Sequence, residues 1–120
     1  MNIYKIQIDS EYEDDGLYSI TFWFDDDPPR YLSLARDEYE DPEYIYIEYI
    51  DQKYGFKTKD IKYDFKENNI SIELLNNNFK WNNKSILEFE ISLKKVEDVK
   101  KTMNNIFNIG CKSKEPNVSF

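Results

Sequence analysis

Apolar and polar residues alternate along most of the chain as far as Leu93, and this period of two predicts β-strands. Tyr4, Ile6 and Ile8 share one face of a first strand. A turn over EYEDDG, ending at Gly16, leads into a second strand in which Tyr18, Ile20, Phe22 and Phe24 alternate with Leu17, Ser19, Thr21 and Trp23, so that both faces carry bulk. The run DDDPP, Asp25 to Pro29, stops it, because proline cannot donate to a ladder and the acids favour turns. A short third strand, YLSLAR, points Leu32 and Leu34 one way. After the loop DEYEDPE, a fourth from Tyr44 to Ile50 sets Ile45, Ile47 and Tyr49 against Tyr46, Glu48 and Ile50, which reads as a central strand. Ile61, Tyr63 and Phe65 then alternate with Lys62, Asp64 and Lys66, and KENN turns the chain into Ile70, Ile72 and Leu74. A last strand carries Leu87, Phe89, Ile91 and Leu93, which makes seven.

Beyond Leu93 the period changes. Val96, Val99, Met103, Ile106 and Phe107 fall at helical spacing, with Lys94, Lys95, Lys100 and Lys101 on the other side, which predicts one amphipathic helix closing the domain. The expected fold is α+β: a predominantly antiparallel sheet of six to seven strands with a C-terminal helix packed on it. The 120 residues suffice for one domain, read as 1–111, with a mobile tail over 112–120.

Composition adds that the chain should fold. It is 40% hydrophobic and 17% aromatic, richer than disordered sequences. Charge is divided along its length. Residues 1–51 hold fifteen acids against Lys5, Arg30 and Arg36, about −12, while residues 52–120 hold thirteen lysines against nine acids, about +4; together they give the net −8. A field this one-sided attracts a basic partner and repels nucleic acid. The opening residues carry no basic head followed by an apolar run, no stretch approaches the roughly 18 apolar residues of a membrane span, and Cys111 has no second cysteine to pair with. These features point to a cytoplasmic protein without a membrane partner.

Catalytic chemistry finds little footing. With no histidine there is no His-activated Ser or Cys nucleophile and no His metal ligand. Gly16, Gly55 and Gly110 stand too far apart for a phosphate-cradling loop. Glu88 and Glu90 could form a glycosidase pair, but they alternate with core positions and belong on a solvated face. Neither Glu13 to Asp15 nor Asp25 to Asp27 has the spacing of a calcium loop. Phe79 and Trp81, in an Asn-rich loop, could stack a base; plugging a sheet edge is the commoner use of such residues. The expectation is a non-enzymatic protein without cofactor or metal.

From Tyr31 to Leu75 the chain runs as a strand ending in arginine (Leu32, Leu34, Arg36), an acidic loop, a strand carrying an acid (Tyr46, Glu48) and closing on Asp51-Gln52, a Gly55-containing turn, and a hairpin from Ile61 to Leu74. This pattern resembles that of the immunity protein 10 family of bacterial polymorphic toxin systems. The resemblance implies a cytoplasmic protein that binds and neutralises a cognate secreted toxin domain, as in contact-dependent growth inhibition. A basic nuclease toxin would suit the charge. Two other classes stay open: an acidic nucleic-acid mimic that blocks a DNA- or RNA-processing enzyme, and a carbohydrate-binding β protein. The partner-binding candidates are Glu13, Asp14, Asp15, Asp26, Asp27, Asp37, Glu38, Tyr39, Glu40 and Asp41 in loops held by the sheet, together with Asp51 and Gln52.

Overall fold

The computed structural model describes residues 3–9, 11–25, 30–79 and 83–108, and at 51–53 the backbone alone. Among these are eight strands, all paired antiparallel, and one helix, which makes the fold α+β. The first five strands are β1 (Ile3–Asp9), β2 (Leu17–Phe24), β3 (Arg30–Asp37), β4 (Ile45–Tyr49) and β5 (Asp51–Thr58), side by side in chain order. A second meander holds β6 (Ile61–Lys66), β7 (Asn69–Leu74) and β8 (Ile86–Glu90). Helix α1 (Val96–Ile106) follows a 3₁₀ turn at Leu93–Lys95.

The alternation decides which side of each strand is buried. On the first sheet Ile20, Phe22, Phe24, Leu32, Leu34, Ile45, Ile47 and Tyr49 point inward, and on the second Ile61, Ile70, Ile72, Leu74, Leu87 and Phe89 do. The two inner faces meet in one core. Phe89 lies with its ring 4.9 Å from that of Phe22 and 5.3 Å from that of Phe24, bridging the sheets. Helix α1 completes the second layer, burying Val99, Met103 and Ile106 against β2 and β3. Its flank meets β6, where the Phe107 ring lies 4.5 Å from Tyr63 and the Tyr63 hydroxyl donates to Asn104 Oδ1.

Two sequence expectations are corrected. The residues around Gly55 form strand β5 instead of a turn: Ile47 faces Phe56 and Tyr46 faces Lys57 across the ladder. The chain reverses at Ile50, whose φ of 66° is the left-handed region that a β-branched residue rarely enters. Leu93 is not in the last strand. The chain leaves the ladder after Glu90, the Ser92 hydroxyl accepts from the Lys94 N–H at the start of the 3₁₀ turn, and Leu93 is left 73% exposed. The proposed tail and Cys111 lie outside the described residues.

Candidate partner-binding surface

In a meander, successive connections alternate between the two ends of the sheet. The β1–β2 and β3–β4 connections therefore share one end of the first sheet, and the β2–β3 and β4–β5 connections share the other. This rule divides the acidic segments. Glu13, Asp14 and Asp15 form a single 3₁₀ turn closed by Gly16, and Gly16 accepts a hydrogen bond through its carbonyl from the Glu38 N–H at 2.7 Å. That contact brings Asp37, Glu38, Tyr39, Glu40 and Asp41 beside them. Asp25 stands at the far end of β2, about 25 Å away for an eight-residue strand. Asp26 and Asp27 lie outside the described residues. Asp51 and Gln52 open β5 at that far end too, and their side chains are not described. Among the described candidates, Glu13 to Asp15 and Asp37 to Asp41 come together at one end, and the start of β5 lies at the other.

The near end is built around Tyr39. Asp37 accepts from the backbone N–H groups of Tyr39 (3.1 Å) and Glu40 (2.9 Å) with one carboxylate oxygen, which folds the loop back on itself. The Tyr39 ring then lies against Gly16, so close that a Cβ there would stand 2.8 Å from Cδ2. Gly16 also has φ +81°, which glycine alone adopts without strain. Tyr39 remains 66% exposed, an aromatic ring held in place with most of its surface in water.

Some of the surrounding acids are already committed. Asp41 pairs with Lys57 at 2.6 Å, and this hydrogen bond holds the lysine pKa above its ordinary value. Glu38 lies 3.8 Å from the Arg36 guanidinium. Burial, and then the charge of Glu38, push the Tyr18 hydroxyl pKa up nearby. Glu11, Asp14, Asp15, Glu40 and Glu43 are exposed and make no ion pair among the described residues. Their charges face solvent.

A second constellation was missed in the list of candidates. On the outer face of the first sheet Trp23 pairs across the ladder with Tyr31, their rings 5.3 Å apart, and the Lys5 ammonium sits 5.9 Å over the indole. Glu48 of β4 accepts from the Tyr31 hydroxyl on one oxygen and from the Tyr46 hydroxyl, at 2.7 Å, on the other. That bond to Glu48 is the main cause of the raised Tyr46 pKa. The indole Nε1 of Trp23 is shut off from solvent with no acceptor among the described residues. The signal in the sequence was Trp23 on the polar side of its strand, together with the acid of β4.

The remaining candidates are placed as follows. Glu88 and Glu90 are exposed on the outer face of the second sheet, where they border an open groove of about 1140 Å³ with Asp25, Asp64, Lys66 and Ser71. Phe79 is fully buried against Tyr49, at 5.3 Å between rings, and plugs the core; Trp81 lies outside the described residues. Among the described residues no group of three or more acids or cysteines is disposed to hold a metal ion, and no helix is long and apolar enough to cross a membrane. Comparison with protein-family models, curated proteins and solved structures returned no match.

Proposed function

We propose that this chain is an immunity protein: a non-enzymatic inhibitor that binds a cognate toxin domain in the cytoplasm and protects the cell that makes it. The observation that carries the reading is the acidic end, where Glu13 to Asp15 and Asp37 to Asp41 converge on a seated, exposed Tyr39. An aromatic anchor ringed by uncommitted carboxylates is the composition of an interface for a basic protein. The ring provides contact area and slow release, while the charges steer encounter. The likeness of Tyr31 to Leu75 to the immunity protein 10 family supports the same reading, and a basic, nucleic-acid-cleaving toxin is the partner that the charge favours. A nucleic-acid mimic would carry acids throughout, whereas the exposed acids away from this end, such as Asp60, Glu67 and Asp98, share their segments with Lys59, Lys66 and Lys100, and residues 52–120 are net positive.

Binding kinetics with the toxin domain encoded beside this gene provide the test. Asp14→Asn/Asp15→Asn and Glu40→Gln leave the turns intact and should slow association, with the difference shrinking at high salt. Tyr39→Ala should speed dissociation. Rates unchanged by all three variants, or absence of binding by the wild type, would reject the proposal.

A further inference from the structure

The outer face of the first sheet gathers a carboxylate, two hydroxyls and an indole that the acidic end does not use. A carboxylate offers about four acceptor positions, and Tyr31 and Tyr46 take one on each oxygen of Glu48, so each oxygen keeps one more. Glu48 makes no ion pair among the described residues. It is half-buried in the middle of an open sheet face, between aromatic side chains, in a chain of net charge −8. A cation is the chemical complement of such a place, and the Lys5 ammonium over Trp23 marks the same surface as attractive to one.

Geometry selects the kind of cation. A guanidinium is flat, stacks on aromatic faces and reaches two acceptor positions at once with its fork of N–H groups, whereas an ammonium is a strongly hydrated point charge. The chain's own Arg36 cannot serve, since it is buried in the core and donates to the Asn105 and Pro42 carbonyls. We propose that Trp23, Tyr31, Tyr46 and Glu48 form a binding site for an arginine side chain of the partner protein. This rests on the reading of the chain as a protein-binding inhibitor, and it adds a second, chemically selective contact to the acidic end.

The test uses the whole protein and small probes, N-acetyl-arginine amide and N-acetyl-lysine amide, followed by NMR at the Trp23 indole N–H, a signal identified by its loss in Trp23→Phe. The arginine probe should shift this signal and bind roughly five- to tenfold more tightly than the lysine probe. Glu48→Gln, which keeps the shape and one acceptor oxygen, should abolish the preference. Tyr46→Phe should weaken it, and Asp14→Asn/Asp15→Asn should leave it unchanged. Equal response to both probes, a preference that survives Glu48→Gln, or a Trp23 shift produced by N-acetylglucosamine and by neither cation would overturn the assignment, the last in favour of a sugar site. Because no toxin enters this experiment, its failure would leave the immunity reading to stand or fall on the kinetics above.

Discussion

The Arg36 guanidinium donates to the Asn105 carbonyl through two nitrogens, Nε at 3.1 Å and Nη2 at 2.7 Å, and so joins the end of β3 to the last turn of α1 across 69 residues of sequence. Carbonyls in the last turn of a helix lack intrahelical partners and carry the negative end of the dipole, so a cation there satisfies both needs. A third nitrogen reaches the Pro42 carbonyl at 3.4 Å, and the Tyr18 ring lies 5.9 Å from the guanidinium carbon. Arg36, which the sequence presented as part of a family-like motif, is the clasp between sheet and helix.

Removing that clasp should be expensive. Arg36→Ala leaves part-buried carbonyls without a donor and empties a buried site, and should lower stability by about 3 kcal/mol. Arg36→Lys keeps the charge but lacks the fork, and should recover only a small part. Urea unfolding would read both; a midpoint equal to wild type in Arg36→Ala would show that the helix end is held by other contacts.

The helix anchor falls on three of the positions its spacing suggests, Val99, Met103 and Ile106. Phe107 is only half-buried, whereas Met103 and Ile106 are fully enclosed. Ile106→Ala should therefore cost about 2–5 kcal/mol, the range for emptying a core site, and Phe107→Ala should cost less than Ile106→Ala. Thermal unfolding of the two variants under one buffer condition checks the order.

Gly16 ties backbone conformation to the position of Tyr39. An alanine there must hold a left-handed φ, at about 1–2 kcal/mol, and must also push the ring away. Gly16→Ala should therefore lower the melting temperature and increase the mobility of the Tyr39 ring in NMR relaxation. Tyr39→Ala should leave stability within about 0.5 kcal/mol of wild type, as for an exposed side chain.

Alkaline pH should destabilise the fold. Burial pushes the Tyr63 hydroxyl pKa above 10.0, and burial and the bond to Glu48 do the same for Tyr18 and Tyr46. A raised folded pKa means that the native state keeps its proton where the unfolded chain has lost it. The contribution is thus complete below pH 10.0 and disappears as pH climbs through the folded values. Denaturation midpoints measured upward from pH 9 should fall above about pH 10, and less steeply in Tyr63→Phe. A midpoint independent of pH in this range would contradict the burial of Tyr63 and Tyr18 and the hydrogen bond from Tyr46 to Glu48.

Much of the architecture was legible because the buried faces of β2, β3, β4, β7 and β8 alternate with few interruptions. Strand β5 was not, because its core-facing side shows only Tyr54 and Phe56, both half-buried, and the glycine between them reads as a turn signal. Leu93 misled for the opposite reason: the rhythm runs on past the point where Ser92 turns the chain. The division into two sheets depends on how faces meet in space, as at Phe22 and Phe89, and has no local signature. The partition of the acidic loops, by contrast, was available from counting connections. Neither the destination of Arg36 nor the meeting of Tyr31 and Tyr46 on Glu48 could be read locally, since each depends on register between distant strands.

The meander topology also shapes how the molecule is assembled. Every strand pairs with the one before or after it in sequence, so each sheet can zip up from short loops with little entropy lost in closing them. The costly encounters come later, when Phe89 must find Phe22 and the helix must find β2. Until then the five-stranded ladder would present Ile20, Phe22, Leu34 and Ile47 to water, a sticky half-shell with no cover. A chain interrupted before Ile61 would lack both the second sheet and the helix and would stay in that state, and aggregation during synthesis, more than loss of binding, would be the consequence of such a truncation.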